Sequence, residues 1–484
     1  MLLTITLLSG KDVVLEADAA WTINELKQRA QIELGVGLGK LMTLSGVVLP
    51  KKQPIHRSGL QDGDTLTATV RPDAVQLMAS TESFCVVRSD GSAVSWGNPL
   101  TGGDCSAVQD RLVDVQRLQA THRAFAALCG DGSVTCWGDP EAGGDCSGVQ
   151  EQLQGVQHLQ ATTAAFGALR ADGLVVTWGN PLSGGFSDQV QEELHDVFQL
   201  QSNSEAFAAL RRDGSVVTWG NPNYGGDSRR VQRKLRGVIE IQASSAAFAA
   251  ILANGSVVTW GPGHFGGNCS YDVGRSLKHV LKIQSNVAAF AAILQDGSAI
   301  AWGSRDSGGD CGSVQDRLRD VREIQASKAA FAAILGDGSV VTWGNPMCGG
   351  NSIAVSPLLQ NVHQIQGTGS DTIGAFAALR QDGSVVTWGS PQCGGESSDV
   401  QEKLRGVQQI AATKAAFAAL LEDGLVVTWG HRSCGGDSSR VQGQLRQVRE
   451  IHAAQDAFAA ILADGSVVSW GNQENGGDTS YVDL

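Results

Sequence analysis

Proline is scarce in this chain, with eleven residues in 484, which excludes a collagen-like or Pro-rich disordered polymer. No apolar run approaches the roughly 20 residues a bilayer-crossing helix needs. The segment Met1 to Leu8 is apolar but has no basic n-region and no small-residue cleavage site, and Lys11-Asp12 interrupts it. It reads as a strand, not as a leader. An excess of basic charge is missing too: 36 Lys and Arg stand against 49 Asp and Glu, a formal net charge of −13. Phosphate backbones and anionic lipid surfaces attract the opposite sign, so neither nucleic acid nor membrane is an expected partner. The expected location is therefore cytoplasmic or nuclear. There is no CxxC pair, and the nine His are scattered, so no metal site is expected. No GxGxxG or Walker pattern follows a predicted strand.

Glycine is what the chain has in plenty, 61 residues, nearly twice the usual share of about 7%. Many glycines with few prolines suit a chain of short hairpins. The dipeptide Trp-Gly recurs with Trp at 96, 137, 178, 219, 260, 302, 343, 388, 429 and 470. Six residues before each Trp lies Asp-Gly, or Asn254-Gly255 in the fifth copy. Twelve before lies a Phe, and six after begins a Gly-Gly pair. Four markers keep their spacing through ten copies of about 41 residues, the mark of a repeat architecture. The cysteines follow the repeat. Cys105, Cys146, Cys269 and Cys311 fall where other copies carry Ser, while Cys348, Cys393 and Cys434 precede the Gly-Gly pair. They read as small-residue positions.

One unit, Val407 to Gln447, shows the local logic. Val407 to Ala412 is a short run with Val and Ile, without clean alternation, read as a strand. Two further runs, Ala416 to Leu421 and Leu425 to Trp429, flank Asp423-Gly424. That is a hairpin signal, and a two-residue type I′ loop would set Ala418 against Trp429 and Leu420 against Val427. After the Gly-Gly turn, Val441, Leu445 and Val448 fall at i, i+4 and i+7, the spacing of a short helix. Three strands and a short connector helix per unit, repeated from Val75 onward, predict ten small sheets arranged as propeller blades or as an open array. An insertion, Thr368 to Ile373, lengthens one loop and is expected to protrude.

The run "DGSVVTWG" followed by a Gly-containing turn resembles the repeat of the regulator of chromosome condensation family, over residues 75–484. It is most similar to a short three-stranded variant, as in the propeller part of HERC-type ubiquitin ligases and in bacterial propellers that inhibit β-lactamases. Departures are visible. Ala416-Phe417 stands where the family usually has Gly-x-x-His, Gly225 to Ser228 replaces Gly-Gln-Leu-Gly, and ten units replace the usual seven.

Residues 1–72 follow a different pattern. A hairpin over Met1 to Glu16, a helix over Trp21 to Ala30 with Thr22 its candidate cap, a strand region from Leu41 to Leu49 and a last strand from Asp62 to Val70 are predicted. With Thr22-Ile-x-x-Leu-Lys27 and Leu44-Ser-Gly-x-x-Leu49, this resembles ubiquitin and implies a β-grasp fold. Val70 runs on into Arg71-Pro72, so the resemblance implies a fixed module with no Gly-Gly tail at that point. The positions matching ubiquitin's apolar recognition patch are Leu8, Thr43 and Thr69, of which only Leu8 keeps its character. Trp21, at the helix start, is a further candidate partner anchor. Met42 and Leu44 are expected in the core.

No residues converge in sequence on a catalytic constellation. The Asp of each hairpin is a turn former first, and only fourteen residues follow Trp470, too few for the catalytic HECT domain of a ligase. The cluster Arg229, Arg230, Arg233, Lys234 and Arg236 is expected to be a solvated face. The expected function is thus non-enzymatic: a scaffold or adaptor for protein partners, linked by resemblance to the ubiquitin system, without cofactor. An enzyme-inhibiting propeller, or guanine nucleotide exchange by fold analogy alone, are the alternatives.

Overall fold

The Asp-Gly between the two apolar runs of each repeat closes a hairpin, though not the tight one expected. In the computed structural model, which describes residues 1–7, 11–34, 38–50, 53–70, 76–88, 91–370, 372–463 and 466–478, Leu421 N–H donates to Leu425 O at 2.9 Å and Gly424 N–H to Leu421 O at 3.0 Å. Gly424 alone takes a positive φ, +77°. This is a three-residue loop, a turn followed by a left-handed glycine, and not a type I′ turn, which needs positive φ at two residues. The register therefore shifts by one from the expected pairing. Phe417 faces Trp429, Ala418 faces Thr428 and Leu420 faces Val426. Packing gives the reason: each Phe now lies flat against its cross-strand Trp, with ring centroids 5.3 Å apart in this unit and 5.2–5.4 Å in all ten. An aromatic pair buries far more surface than a methyl against an indole.

The chain is mainly β, with ten three-stranded antiparallel sheets in sequence order. The first runs through Gln76–Ala79, Ser83–Val87 and Ala93–Gly97, the second through Val115–Ala120, Ala124–Cys129 and Val134–Gly138, and the tenth through Val448–Ala453, Ala457–Leu462 and Val467–Gly471. The linker and Val75 lie outside the described residues. The first strands of successive sheets pack against one another and the third strands against the connectors, so the first strands are innermost. The connectors are mostly short 3-10 turns in place of the expected helices, as at Ser106–Arg111 and Asp188–Glu193. Only Tyr271–Ser276 is α-helical among the described connectors. The insertion does not simply protrude: Thr368 is buried, Ile373 packs on a core cluster, and Gly369 lies against Lys328 of the preceding sheet.

Neighbouring sheets are joined by one repeated device. The first glycine of each Gly-Gly pair sits on the Phe of the next sheet, and its carbonyl accepts from that sheet's Trp indole N–H, as in Trp137 Nε1 to Gly102 O at 3.0 Å. Gly102 needs its φ of +95° to turn there, and a Cβ would stand 2.5 Å from Phe125. The same device links the ends of the array. Trp96 Nε1 donates to Gly476 O at 2.9 Å, 380 residues away, and Phe84, Trp96 and Leu77 share a core cluster with Ala457, Ala459 and Ile461. Among the described residues no sheet of the array closes on itself, and each of its ten sheets keeps three strands. The circuit of sheets is nonetheless continuous from the tenth to the first. Gly476→Val, whose Cβ would meet Phe84 at 2.3 Å, should open this seam and raise the radius of gyration in small-angle scattering. Gly443→Val, where a Cβ meets nothing within 4 Å, should not.

At the N-terminus, β1 (Leu2–Leu7), β2 (Asp12–Glu16), α1 (Ile23–Leu34), β3 (Leu38–Thr43) and β4 (Thr65–Val70) form one layer of helix on a sheet ordered β2-β1-β4-β3, with β1 and β4 parallel. Thr22 caps α1 as expected: Glu25 N–H donates to Thr22 Oγ1 at 3.2 Å, while Thr22 N–H donates to Glu25 Oε2 at 2.6 Å, a reciprocal capping box. Leu3, Ile5, Leu26, Ala30, Leu41 and Leu66 make the core.

Candidate interaction surfaces

On the N-terminal module the four anticipated residues do not form one described patch. Leu8 lies outside the described residues, and of Thr69 only the place in β4 is described. Thr43 ends β3 opposite Leu66. Its hydroxyl serves its own turn, sharing a hydrogen bond with Ser45 Oγ at 2.8 Å and accepting from Val47 N–H at 3.2 Å. Trp21 is half-buried on its own module's core, with the Arg29 guanidinium 4.1 Å from its ring centre, an arrangement that favours the cation over the ring face. Leu44, expected in the core, is 75% exposed, beside exposed Val47 and Val48. The pleat explains it: Leu41 opposite buried Ala68 takes the core face, and the chain leaves the strand after Thr43 into a turn.

The module rests on the ring through charge. Lys27 on α1 is 2% exposed and its Nζ lies 3.5 Å from Asp114 Oδ2 at the start of the second sheet, itself fully buried. Gln116 Nε2 also donates to Asp114 Oδ1 at 2.8 Å. The equivalent residue two repeats apart in position, Asp196, is 67% exposed. Burial of Asp114 is thus the work of the N-terminal module. Nothing in the sequence marks this pair.

Where the sheets converge, one cavity of about 410 Å³ is lined from the first, second, third, fourth and tenth sheets by groups such as Ser80, Thr121, Thr162, Ser204 and Gln455. Around it the turns between first and second strands hand main-chain hydrogen bonds from sheet to sheet: Thr81 N–H to His122 O, His122 to Thr163, Thr163 to Ser204. The hydroxyls there are largely spent on latching. Thr121 Oγ1 donates to Ala142 O at 3.1 Å and Thr162 Oγ1 to Ser183 O at 2.9 Å.

The cysteines prove structural. Ser187 donates to Gln191 Oε1 at 2.8 Å, and Gln191 Nε2 to Val175 O at 3.0 Å, tying connector to third strand. Cys105 and Cys311 make the same contact to Gln109 and Gln315 at 3.4 and 3.2 Å. This Gln stands thirteen residues after Trp in seven repeats, a signal visible in sequence and missed. The connector with Val273 there instead is the one that becomes α-helical. Burial pushes the thiols of Cys129 and Cys434 up to about 11, so these two are poor nucleophiles. Among the described residues no group of His, Cys, Asp and Glu is placed to hold a metal, and no helix is long and apolar enough to cross a membrane. The basic cluster is exposed and lies on a turn, where Arg229 Nη2 contacts Asp227 Oδ2 at 2.6 Å and holds that carboxyl down at about 2.

Neither a family model nor a curated protein matches the chain. Solved structures are similar at low identity. Prp20p of Saccharomyces cerevisiae, described with its binding to Gsp1p and histones, is 16% identical with a TM-score of 0.33, over 57% of this chain and 84% of that one. Yeast RCC1 (Prp20) bound to Kap60 is 15% identical with a TM-score of 0.32, over 84% and 82%. The computationally designed Ika8 protein is 14% identical with a TM-score of 0.32, over 74% and 96%. These likenesses carry no argument about activity, and the propeller-type fold stands on the ten sheets and the contacts that join them.

Proposed function

We propose that this chain is a non-enzymatic scaffold that gathers protein partners in the cytoplasm or nucleus. One observation carries the reading: an unvarying buried frame presents an exposed residue that varies from repeat to repeat. Four positions after Trp stand Leu100, Glu141, Leu182, Asn223, His264, Asp306 and Met347, while Phe, Trp and the Gly-Gly pair repeat beneath them. Stacked units of constant core and variable surface build extended recognition faces without chemistry. The N-terminal module supports the finer reading, a link to the ubiquitin system: its sheet order, its parallel central pair and its capped helix agree with a ubiquitin-like fold. The test is affinity purification of the full chain with quantitative mass spectrometry. Retention of a defined partner set that includes ubiquitin-pathway proteins is expected. A partner set without them overturns the pathway link, and no partner above the untagged control overturns the scaffold.

A further inference from the structure

Every sheet from the second to the tenth carries a bulge near the start of its first strand. In the fourth the register passes from Val197 to Gln199, in the fifth from Val238 to Glu240 and in the sixth from Val280 to Lys282. The skipped residue has no cross-strand partner and stands outward, so bulges re-aim side chains. In most sheets that residue is polar and exposed: Gln116, Gln157, Arg322, His363, Gln408, Arg449. In three consecutive sheets it is Phe198, Ile239 and Leu281, exposed by 44%, 55% and 61%. Their strands are neighbours in the inner layer, so three large apolar side chains follow one another around one sector of the ring. Single exposed apolar residues need no explanation, but a contiguous row confined to one sector does.

The sector is also basic in an acidic protein. Positions 198 to 282, the span of the row, hold ten Lys and Arg against five Asp and Glu, while the whole chain holds 36 against 49. Exposed Arg212, Arg236, Lys278 and Lys282 flank the row. Arg212 N–H is bonded to Asp196 O, two residues before Phe198, and the others lie within three residues of Ile239 or Leu281. Asp196, Asp213 and Glu240 share this edge, leaving the surplus positive.

We propose that this row docks a polypeptide segment of a partner protein, one that sets apolar side chains between Asp and Glu. The apolar row supplies the area removed from water, and the flanking cations select acidic neighbours and steer the approach. The inference deepens the scaffold reading and rests on it.

The experiment is selection of a displayed random 16-residue peptide library on the intact chain, repeated on F198Q/I239Q/L281Q. Glutamine already occupies the equivalent place in the second, third and ninth sheets, so the variant keeps the fold, checked by circular dichroism. Enriched peptides should carry apolar residues flanked by Asp or Glu, bind with at least tenfold lower affinity to the triple variant and weaken as salt rises. Absence of enrichment above the triple variant, or enrichment of neutral or basic sequences, overturns the proposal. Light scattering adds a separate outcome: a dimer of the intact chain that is lost in the triple variant would mean a second copy covers the row, and would overturn a foreign segment. If the triple variant retains every partner co-purified with the intact chain, the row is overturned while the scaffold reading stands.

Discussion

Replacing Trp137 with Ala is expected to cost about 3–5 kcal/mol of stability, the range for deleting a large buried aromatic. Three losses coincide at this side chain. Its ring stacks on Phe125 at 5.4 Å, its burial is nearly complete, and its indole N–H satisfies Gly102 O. The last contact lies between sheets, so the effect is not confined to the second one. Trp137→Phe separates the parts: it keeps most of the apolar area and forfeits the hydrogen bond, for about 1 kcal/mol from that bond. Urea unfolding followed by circular dichroism reads both. An alanine variant within 1 kcal/mol of the parent would show that the stack does not hold the sheets together.

Lys27→Ala is expected to cost about 3–5 kcal/mol as well, by a different mechanism. Removing one partner of a buried ion pair leaves the other charge without compensation in a poorly solvated place. The stranded group is Asp114, and the cheapest relief is to let water reach it by lifting the module off the second sheet. The expected readout is a lower unfolding midpoint together with faster proteolysis between residues 70 and 76. Asp114→Asn in the Lys27→Ala background should recover most of the loss, since Asn361 occupies the same left-handed position in the eighth sheet. Unchanged proteolysis in the single variant would place the docking energy elsewhere.

The ten-fold spacing of Phe, Asp-Gly, Trp-Gly and Gly-Gly is enough to read the sheets, their order and the residues of their cores. Register was not legible because Asp-Gly suits two loop lengths, and only the need of Phe417 to meet Trp429 selects the longer. The connectors misled for a related reason: the i, i+4 spacing of Val441 and Leu445 needs no α-helix, and both pack inward from a hydrogen-bonded turn over residues 439–444. Lys27 with Asp114, and Trp96 with Gly476, are meetings of residues far apart in the chain. No local pattern announces such contacts. The apolar row at Phe198, Ile239 and Leu281 lay hidden among strand residues until the bulge turned it outward.

Each sheet is made from one uninterrupted stretch of chain, and the tenth meets the first through the same Gly–Trp contact that serves every other pair. No strand has to be lent across the join. The length of the array is therefore uncoupled from its closure in a way that a shared-strand ring forbids. A duplication or loss of one unit of about 41 codons would leave every interface with its proper mate and change only the circumference. Such a gene can vary in copy number while its product still folds, and each added copy brings one more exposed position on which a new specificity can be written.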